Sequence, residues 1–253
     1  MKVALFVTCL TDTFYPRSGI AVVKVLERLG CQVEFPQDQT CCGQPLYNNG
    51  FHDDARELAR RMIRVFESSE YVVTPSGSCA AMIRDYYAEL LEDDHAYADA
   101  AAALSDKTYE FVEFLAKVLK IDLKALGVKW PGEVTYHFSC HLRGLGMTER
   151  DSDAERLLRQ VEGLSYTRME KVDQCCGFGG TFAMKYPQIS GSLVREKVQC
   201  IERARAGTVV SNDAGCTMNI SGACRRHGVD VGFIHIAEVI AEGLGLMQKG
   251  KSE

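Results

Sequence analysis

Apolar and polar positions follow two different periods along the first half of the chain. Short β-branched and aromatic runs, VALFV (3–7) and YVVT (71–74), are typical of buried strands. The segment GIAVVKVLERLG (19–30) instead places apolar residues three and four positions apart, as on one face of a helix, with Gly30 as a natural stop. Because strands and helices alternate, the pattern predicts a parallel sheet with helical crossovers.

The second half repeats this alternation. Its predicted strands are VTYHFSC (134–140), SYTRM (165–169), TVVS (208–211) and GFIHI (232–236). Predicted helices lie between them in the regions 151–162 and 188–207. Between the halves, EDDHAYADAAAALSDK (92–107) is predicted to be an exposed, helix-prone linker.

The cysteines are arranged in two matching sets. When Cys31, Cys200 and Cys224 are set aside as small buried hydrophobic residues, eight cysteines remain. These are Cys9, Cys41, Cys42 and Cys79 in the first set, and Cys140, Cys175, Cys176 and Cys216 in the second. The spacing in the second set is three residues longer at both steps (9 to 41 against 140 to 175, and 42 to 79 against 176 to 216).

The segments around these cysteines also match. VALFVTC (3–9) corresponds to VTYHFSC (134–140), and YVVTPSGSCAAMI (71–83) corresponds to TVVSNDAGCTMNI (208–220). These two matches, in register with the cysteine doublet that lies between them, indicate a gene duplication. We therefore predict an α/β protein of two tandem repeated units, each a small parallel sheet flanked by helices, with domains at 1–128 and 129–253.

Composition and charge disfavour two classes of protein, nucleic-acid-binding proteins and transmembrane proteins. The chain has 253 residues, of which 46% are hydrophobic and 25% charged, as in an ordinary globular protein. The net charge of −5 does not favour nucleic-acid binding. No apolar run approaches the roughly 20 residues of a membrane-spanning helix, and the amino terminus lacks the pattern of a signal peptide. We expect a cytoplasmic protein without a transmembrane segment.

Eleven cysteines are many for a reducing compartment, where they indicate metal or redox chemistry rather than disulfides. Cys9 and Cys140 lie at the ends of predicted strands. Cys79 and Cys216 lie at the start of the helices that follow two further predicted strands, YVVT and TVVS. Because ligands of open parallel sheets bind at the carboxyl ends of the strands, each foursome is predicted to converge on one rim.

The spacing of the cysteines also indicates which kind of metal site they form. Structural zinc sites favour C-x₂-C pairs, which this sequence lacks. Adjacent cysteines can instead ligate two different iron atoms, and four thiolates suit an iron–sulfur cluster. The ferredoxin spacing C-x₂-C-x₂-C is not present either.

The motif CCG, with a cysteine some 30 residues before it and another some 36 after it, resembles the cysteine-rich CCG-domain family. This family is found in tandem in the B subunit of heterodisulfide reductase and in related iron–sulfur oxidoreductases. A free-standing two-repeat chain of this length is most similar to the lactate-utilization branch of the family. The resemblance covers nearly the whole chain.

The resemblance implies an iron–sulfur electron-transfer subunit of a system that oxidises L-lactate or another 2-hydroxy acid. It implies two clusters, of the 4Fe–4S type, each held by one foursome of cysteines. It also implies a ferredoxin-like multi-cluster partner and a third small subunit. Catalysis would depend on these partners, and the sequence assigns no catalytic residue.

The sequence departs from the heterodisulfide reductase pattern at two positions. There the last cysteine belongs to a C-x-x-C pair, whereas here Ser76 and Asp213 replace the first member. Asp213 could offer a carboxylate to iron, and Ser76 is better suited to cap a helix. Gly43 and Gly177 are expected to let the backbone approach a cluster.

Other features leave alternatives open. His141, next to Cys140, could be a ligand or a proton relay, although a hydrogen-bonding role beside the site is the stronger reading. Two other functions remain: a thiol–disulfide oxidoreductase like the B subunit of heterodisulfide reductase, which the missing fifth cysteines disfavour, and a zinc-stabilised assembly module without catalysis.

Overall fold

The computed structural model describes residues 1–250, and within them eight strands form two four-stranded sheets. The strand order is β2-β1-β3-β4 in the first sheet and β6-β5-β7-β8 in the second. The strands are β1 (Lys2–Leu5), β2 (Gln32–Glu34), β3 (Tyr71–Thr74), β4 (Thr108–Glu110), β5 (Lys129–Tyr136), β6 (Glu162–Tyr166), β7 (Thr208–Ser211) and β8 (Gly232–His235).

Helices connect the strands. They are α1 (Cys9–Phe14), α2 (Pro16–Arg28), α3 (Gln44–Tyr47), α4 (His52–Phe66), α5 (Gly77–Ala81), α6 (Tyr87–Leu90), α7 (Ala98–Lys107), α8 (Phe111–Glu113), α9 (Asp153–Leu158), α10 (Phe182–Lys185), α11 (Pro187–Ala204), α12 (Ala214–His227) and α13 (Ile236–Gly243). Two π-helical segments (Met82–Tyr86 and Phe114–Val118) and a 3₁₀ turn (Cys140–Arg143) complete the set.

All strand pairs in both sheets are parallel. The first strand of each half is central, since β1 pairs with β2 and β3, and β5 pairs with β6 and β7. The predicted fold class, two repeated α/β units with helical crossovers, is confirmed.

The strands that precede the cysteines are shorter than the sequence suggested. Strand β1 ends at Leu5 and β5 ends at Tyr136, so Cys9 and Cys140 lie four residues beyond them and begin helical turns. Strand β5 also begins earlier than predicted and contains Pro131, where the pairing with β6 shifts register. Proline is tolerated at such an irregularity because it has no N–H to donate to the ladder.

The segment 92–107 differs from its prediction as an exposed linker. Helix α7 occupies most of it, and its Ala101 and Leu104 are buried. Strand β4 follows directly and completes the first sheet, although its three residues gave no strand signal in the sequence. A strand this short is defined by its pairing with β3 rather than by its own pattern.

The two halves share one hydrophobic core. Helix α2 of the first half packs against α13 of the second, and Val22 and Leu26 of α2 belong to the same buried cluster as Trp130 and Val134. A smaller cluster lies within the first half, under α4 and α7. The halves are thus held together by apolar burial.

Charged groups add to the contact between α2 and α13. Arg17 pairs with Glu238 and Glu242, and the Ser18 hydroxyl donates to Glu238. None of the helices in residues 1–250 is both long enough and apolar enough to span a bilayer.

Candidate metal centres

The first sulfur group consists of Cys9, Cys41, Cys42 and Cys79. Cys9 begins α1, the doublet lies in the loop between β2 and α3, and Cys79 lies in α5 directly after β3. The Sγ atoms of Cys9 and Cys41 are 3.9 Å apart, and those of Cys42 and Cys79 are 3.4 Å apart. The two pairs meet at the doublet, where the thiols of Cys41 and Cys42 shift each other's pKa.

The second sulfur group consists of Cys140, Cys175, Cys176 and Cys216. These residues lie at equivalent places: a turn after β5, the loop after β6, and α12 directly after β7. The Sγ atoms of Cys176 and Cys216 are 3.2 Å apart, and the thiols of Cys140 and Cys175 are close enough to shift each other's pKa. Both foursomes therefore form a continuous run of neighbouring sulfurs in the same order.

All eight sulfurs are free thiols. The measured separations of 3.2–3.9 Å are far longer than a disulfide bond of about 2.05 Å. Burial is graded in both groups: the second doublet cysteine and the last cysteine are buried, whereas Cys9 is exposed. Each group thus has an apolar-packed side and a side nearer to solvent.

The thiols of each group differ in acidity in the same way. A hydrogen bond from Cys42, with a second from Cys9, holds the pKa of Cys41 well below its usual range. Hydrogen bonds from Cys140 and Cys176 lower the pKa of Cys175 in the same manner. Since the thiolate is the metal-binding form, the lowered pKa favours the first cysteine of each doublet as a thiolate ligand.

A glycine in the left-handed region follows each doublet. The φ angle is +87° at Gly43 and +80° at Gly177, a conformation that side chains with a Cβ rarely adopt. The turn directs backbone donors at sulfur, with Gly177 N–H 3.3 Å from Cys175 Sγ and Phe178 N–H 3.5 Å from Cys176 Sγ. Backbone amides aimed at sulfur are one of the groups that tune iron–sulfur clusters, so the donor set fits the group that the sequence implies.

Ser76 and Asp213 face each other across the two halves. Asp213 accepts hydrogen bonds from the N–H groups of Gly215 and Cys216, and thereby caps α12. Its other oxygen accepts from the Ser76 hydroxyl at 3.1 Å and from Ser78 N–H at 3.0 Å. Ser76 in turn caps α5 by accepting from Cys79 N–H. Both side chains position the helices that carry the last cysteines.

The start of helix α3, just after the first doublet, contacts the second half near Cys140. The side-chain amide of Gln44 lies 3.1 Å from the Ser78 carbonyl oxygen and 3.4 Å from Nε2 of His141. The other ring nitrogen of His141, Nδ1, is 3.8 Å from Cys140 Sγ. His141 therefore links the surroundings of both sulfur groups.

The profile of the cysteine-rich CCG domain matches this chain twice, at residues 3–84 and 134–221. The chain belongs to the CCG cysteine-rich domain family. Lactate utilization protein A of Bacillus licheniformis is 48% identical over 241 residues, which are 95% of this chain and 99% of that protein. Lactate utilization protein A of Geobacillus sp. (strain WCH70) is 47% identical over the same shares of both chains.

Solved structures resemble the chain only distantly. Glutamate racemase from Francisella tularensis aligns with 99% of this chain and 84% of its own, at 11% identity and a TM-score of 0.37. A likeness of this size carries no functional meaning for the CCG repeats.

His137 is a residue of the second CCG repeat that sequence reasoning missed. It follows β5 directly, is fully buried, and one of its ring nitrogens lies within 4.8 Å of the sulfurs of Cys176 and Cys216. Burial lowers the pKa of His137 to about 3, so its imidazole is neutral and able to bind metal. The only sequence signal was that Phe6 stands at the matching position of the first repeat.

Lys197 is a second residue that the sequence did not reveal. Its ammonium group is buried and donates to the carbonyl oxygens of Lys171 and Val172, in the loop that leads to the second doublet. Burial lowers the pKa of Lys197 to about 8. This side chain anchors the loop and places a cationic group near the second sulfur group.

A cavity of about 570 Å³ lies between the two repeats but is lined by none of the eight cysteines. Arg17, at its edge, is already paired with Glu238 and Glu242. Its charge is therefore neutralised by carboxylates of the chain itself, which disfavours Arg17 as a binder of a carboxylate substrate.

Proposed function

We propose that this chain is an iron–sulfur electron-transfer subunit of a system that oxidises L-lactate. The first sulfur group would hold one cluster and the second sulfur group another, both of the 4Fe–4S type. A bound cluster of this kind accepts and releases single electrons.

Two groups of four neighbouring thiols, repeated in order and in burial, carry this proposal. Four thiolates are the usual protein ligands of an iron–sulfur cluster. The lactate substrate is supported by the relatives named lactate utilization protein A, which match this chain over almost its whole length.

The residues around the sulfurs would perform defined tasks. The thiols of Cys41 and Cys175, whose pKa values are lowered by hydrogen bonds from neighbouring thiols, would supply thiolate ligands to iron. The amides of Gly177 and Phe178 would stabilise negative charge on sulfur. The capped helices α5 and α12 would hold Cys79 and Cys216 in place.

We further propose that the protein acts in the cytoplasm with a ferredoxin-like multi-cluster protein and a third small subunit. An apolar surface supports a docking partner: Met184 is 82% exposed and Tyr186 is 54% exposed, on α10 and just after it, beyond the second doublet. Thr181, at the start of the same helix, contacts Asn49 of the first repeat. Substitution of Met184 by Lys should slow lactate-driven reduction in the reconstituted system and leave the iron content unchanged.

Anaerobic purification followed by iron, acid-labile sulfide and zinc analysis, with EPR of the reduced protein, tests the proposal. We expect a brown protein with iron and sulfide in equal amounts and an EPR signal from reduced clusters. A colourless protein that contains zinc and no acid-labile sulfide would overturn the electron-transfer function and favour a zinc-stabilised assembly module. The buried His137, Cys176 and Cys216 form a donor set that zinc also accepts, so the zinc measurement belongs in the test.

A further inference from the structure

We propose that His137 is an additional iron ligand of the second sulfur group and that the first sulfur group has no counterpart. The inference rests on the proposed function, because it assigns a residue to the metal centre of that function. It would make the two clusters of one chain chemically different.

The burial of His137 calls for a binding partner. The side chain is 0% exposed, and neither Nδ1 nor Nε2 has a hydrogen-bond partner within residues 1–250. A buried polar group without a partner costs about 1–3 kcal/mol, and such groups are rare in folded proteins. A metal ion beside the ring would satisfy one of these nitrogens.

The position of the ring favours metal over a protein partner. A ring nitrogen of His137 and the sulfurs of Cys176 and Cys216 all lie within 4.8 Å of one another, and the three side chains are buried. Three soft or borderline donors around one point form a typical site for iron or zinc. The nitrogen thus lies on the apolar-packed side of the second sulfur group.

The first repeat shows that this histidine is not required by the fold. In the match of VALFVTC with VTYHFSC, Phe6 takes the place of His137. Phe6 is equally buried and packs edge-on against Phe66, with ring centroids 5.9 Å apart. An apolar ring fills the same place without cost, so the imidazole is retained in the second repeat for its nitrogen.

The second cluster should differ from the first in redox behaviour. A neutral imidazole added to four thiolates changes the donor set of the cluster without changing its charge. The ammonium group of Lys197, near Cys176 and Cys216, raises the potential because a positive charge favours the added electron. The second cluster should therefore have the higher potential and be reduced first.

Pulsed EPR on protein labelled with ¹⁵N only in histidine tests the ligation directly. We expect the reduced protein to show a ¹⁵N hyperfine coupling of the size given by a metal-bound imidazole. Cys41→Ser, which disrupts the first sulfur group, should keep the coupling. Cys175→Ser, which disrupts the second, should lose it.

Two histidine variants identify the residue. His137→Phe, which copies the first repeat, should lose the coupling, whereas His141→Gln, beside Cys140, should keep it. Loss in His141→Gln, or no coupling in the unsubstituted protein, would overturn the assignment. If His137→Phe does not fold, the His141→Gln and Cys175→Ser proteins still test the assignment, because His141 lies beside Cys140 and is the competing ligand.

A redox titration provides a second readout. His137→Phe should shift the potential of the second cluster and leave that of the first unchanged. His137→Cys, which keeps a ligand but adds negative charge, should keep the iron and lower the potential of the second cluster. Protein without iron and sulfide would refute the proposed function itself, whereas intact clusters without nitrogen coupling would refute only the role of His137.

Discussion

The two sulfur groups have the same thiols but different surroundings. Phe6 in the first repeat corresponds to His137 in the second. Met62 on α4 corresponds to Lys197 on α11. Each of these two residues lies four positions after the side chain that packs against the left-handed glycine of its repeat. Met62 accepts a weak hydrogen bond from Thr40 N–H, whereas Lys197 donates to two carbonyl oxygens.

The difference extends to the turns before the cysteines. Thr8, before Cys9, has a φ angle of +72°, which is strained for a β-branched residue, whereas Ser139 lies in the ordinary region at −64°. The duplication thus preserved the sulfurs and the glycines and allowed the surroundings to diverge. At these two positions the first group has the apolar side chains of Phe6 and Met62, and the second has the polar and charged side chains of His137 and Lys197.

Substitution of the first cysteine of each doublet tests whether the groups are independent. Cys41→Ser and Cys175→Ser should each lose about half of the bound iron and sulfide, because each removes one ligand of one cluster. Cys224→Ser, in the core and outside both groups, is the matched control and should keep all of it. Elemental analysis of anaerobic protein gives the result; equal losses in the control would contradict the assignment.

The facing pair Ser76 and Asp213 should show an unequal effect on stability. Asp213→Ala removes the acceptor of four hydrogen bonds from a buried position and should cost about 3 kcal/mol or more. Ser76→Ala removes one helix cap and one hydrogen bond and should cost about 1 kcal/mol. Denaturant unfolding of the anaerobic proteins measures both costs, and equal costs would show that the carboxylate does not join the repeats.

Two equivalent helix caps should give opposite pH dependences. Glu110 ends β4 and caps α8, and burial raises its pKa from 4.5 to about 8. The free energy of unfolding should therefore decrease as the pH rises from 4.5 to 8. His235 ends β8 and caps α13, and burial lowers its pKa to about 4, so stability should fall as pH decreases from 6.5.

Unfolding free energies at a series of pH values separate these two groups. Between pH 6.5 and 8 Glu110 is the member of this pair that contributes, and Glu110→Gln should remove a slope of at most about 1.4 kcal/mol per pH unit. Between pH 4 and 6.5, His235→Asn should remove the opposite slope, with which stability falls as the pH decreases. An unchanged slope in either variant would mean that the side chain is not buried in its neutral form.

The smallest effects are expected at two equivalent surface ion pairs. Lys2 with Glu34 joins β1 to β2, and Lys129 with Glu162 joins β5 to β6, at 3.2 and 2.9 Å. All four side chains are largely exposed, so Lys2→Gln and Lys129→Gln should each change stability by less than about 1 kcal/mol. A larger loss at only one site, in thermal melts, would reveal a difference between the sheets that their exposure does not explain.

The sequence predicted the repeated strands, the eight cysteines and the family because these features depend on local patterns and spacing. It could not predict the contact of Asp213 with Ser78, since residues so far apart in sequence meet only through the packing of the repeats. His137 was overlooked because a histidine in a strand segment gives no signal of its own. Comparison with Phe6, position by position, was the signal that could have found it.

The carboxylate of Asp213 makes the first repeat dependent on the second. One oxygen caps α12 of its own repeat, whereas the other accepts from Ser78 N–H of the first repeat. Without the second repeat, this N–H in the helix that carries Cys79 would lose its acceptor. A chain cut between the repeats should therefore bind metal at the first sulfur group only while its two pieces stay associated.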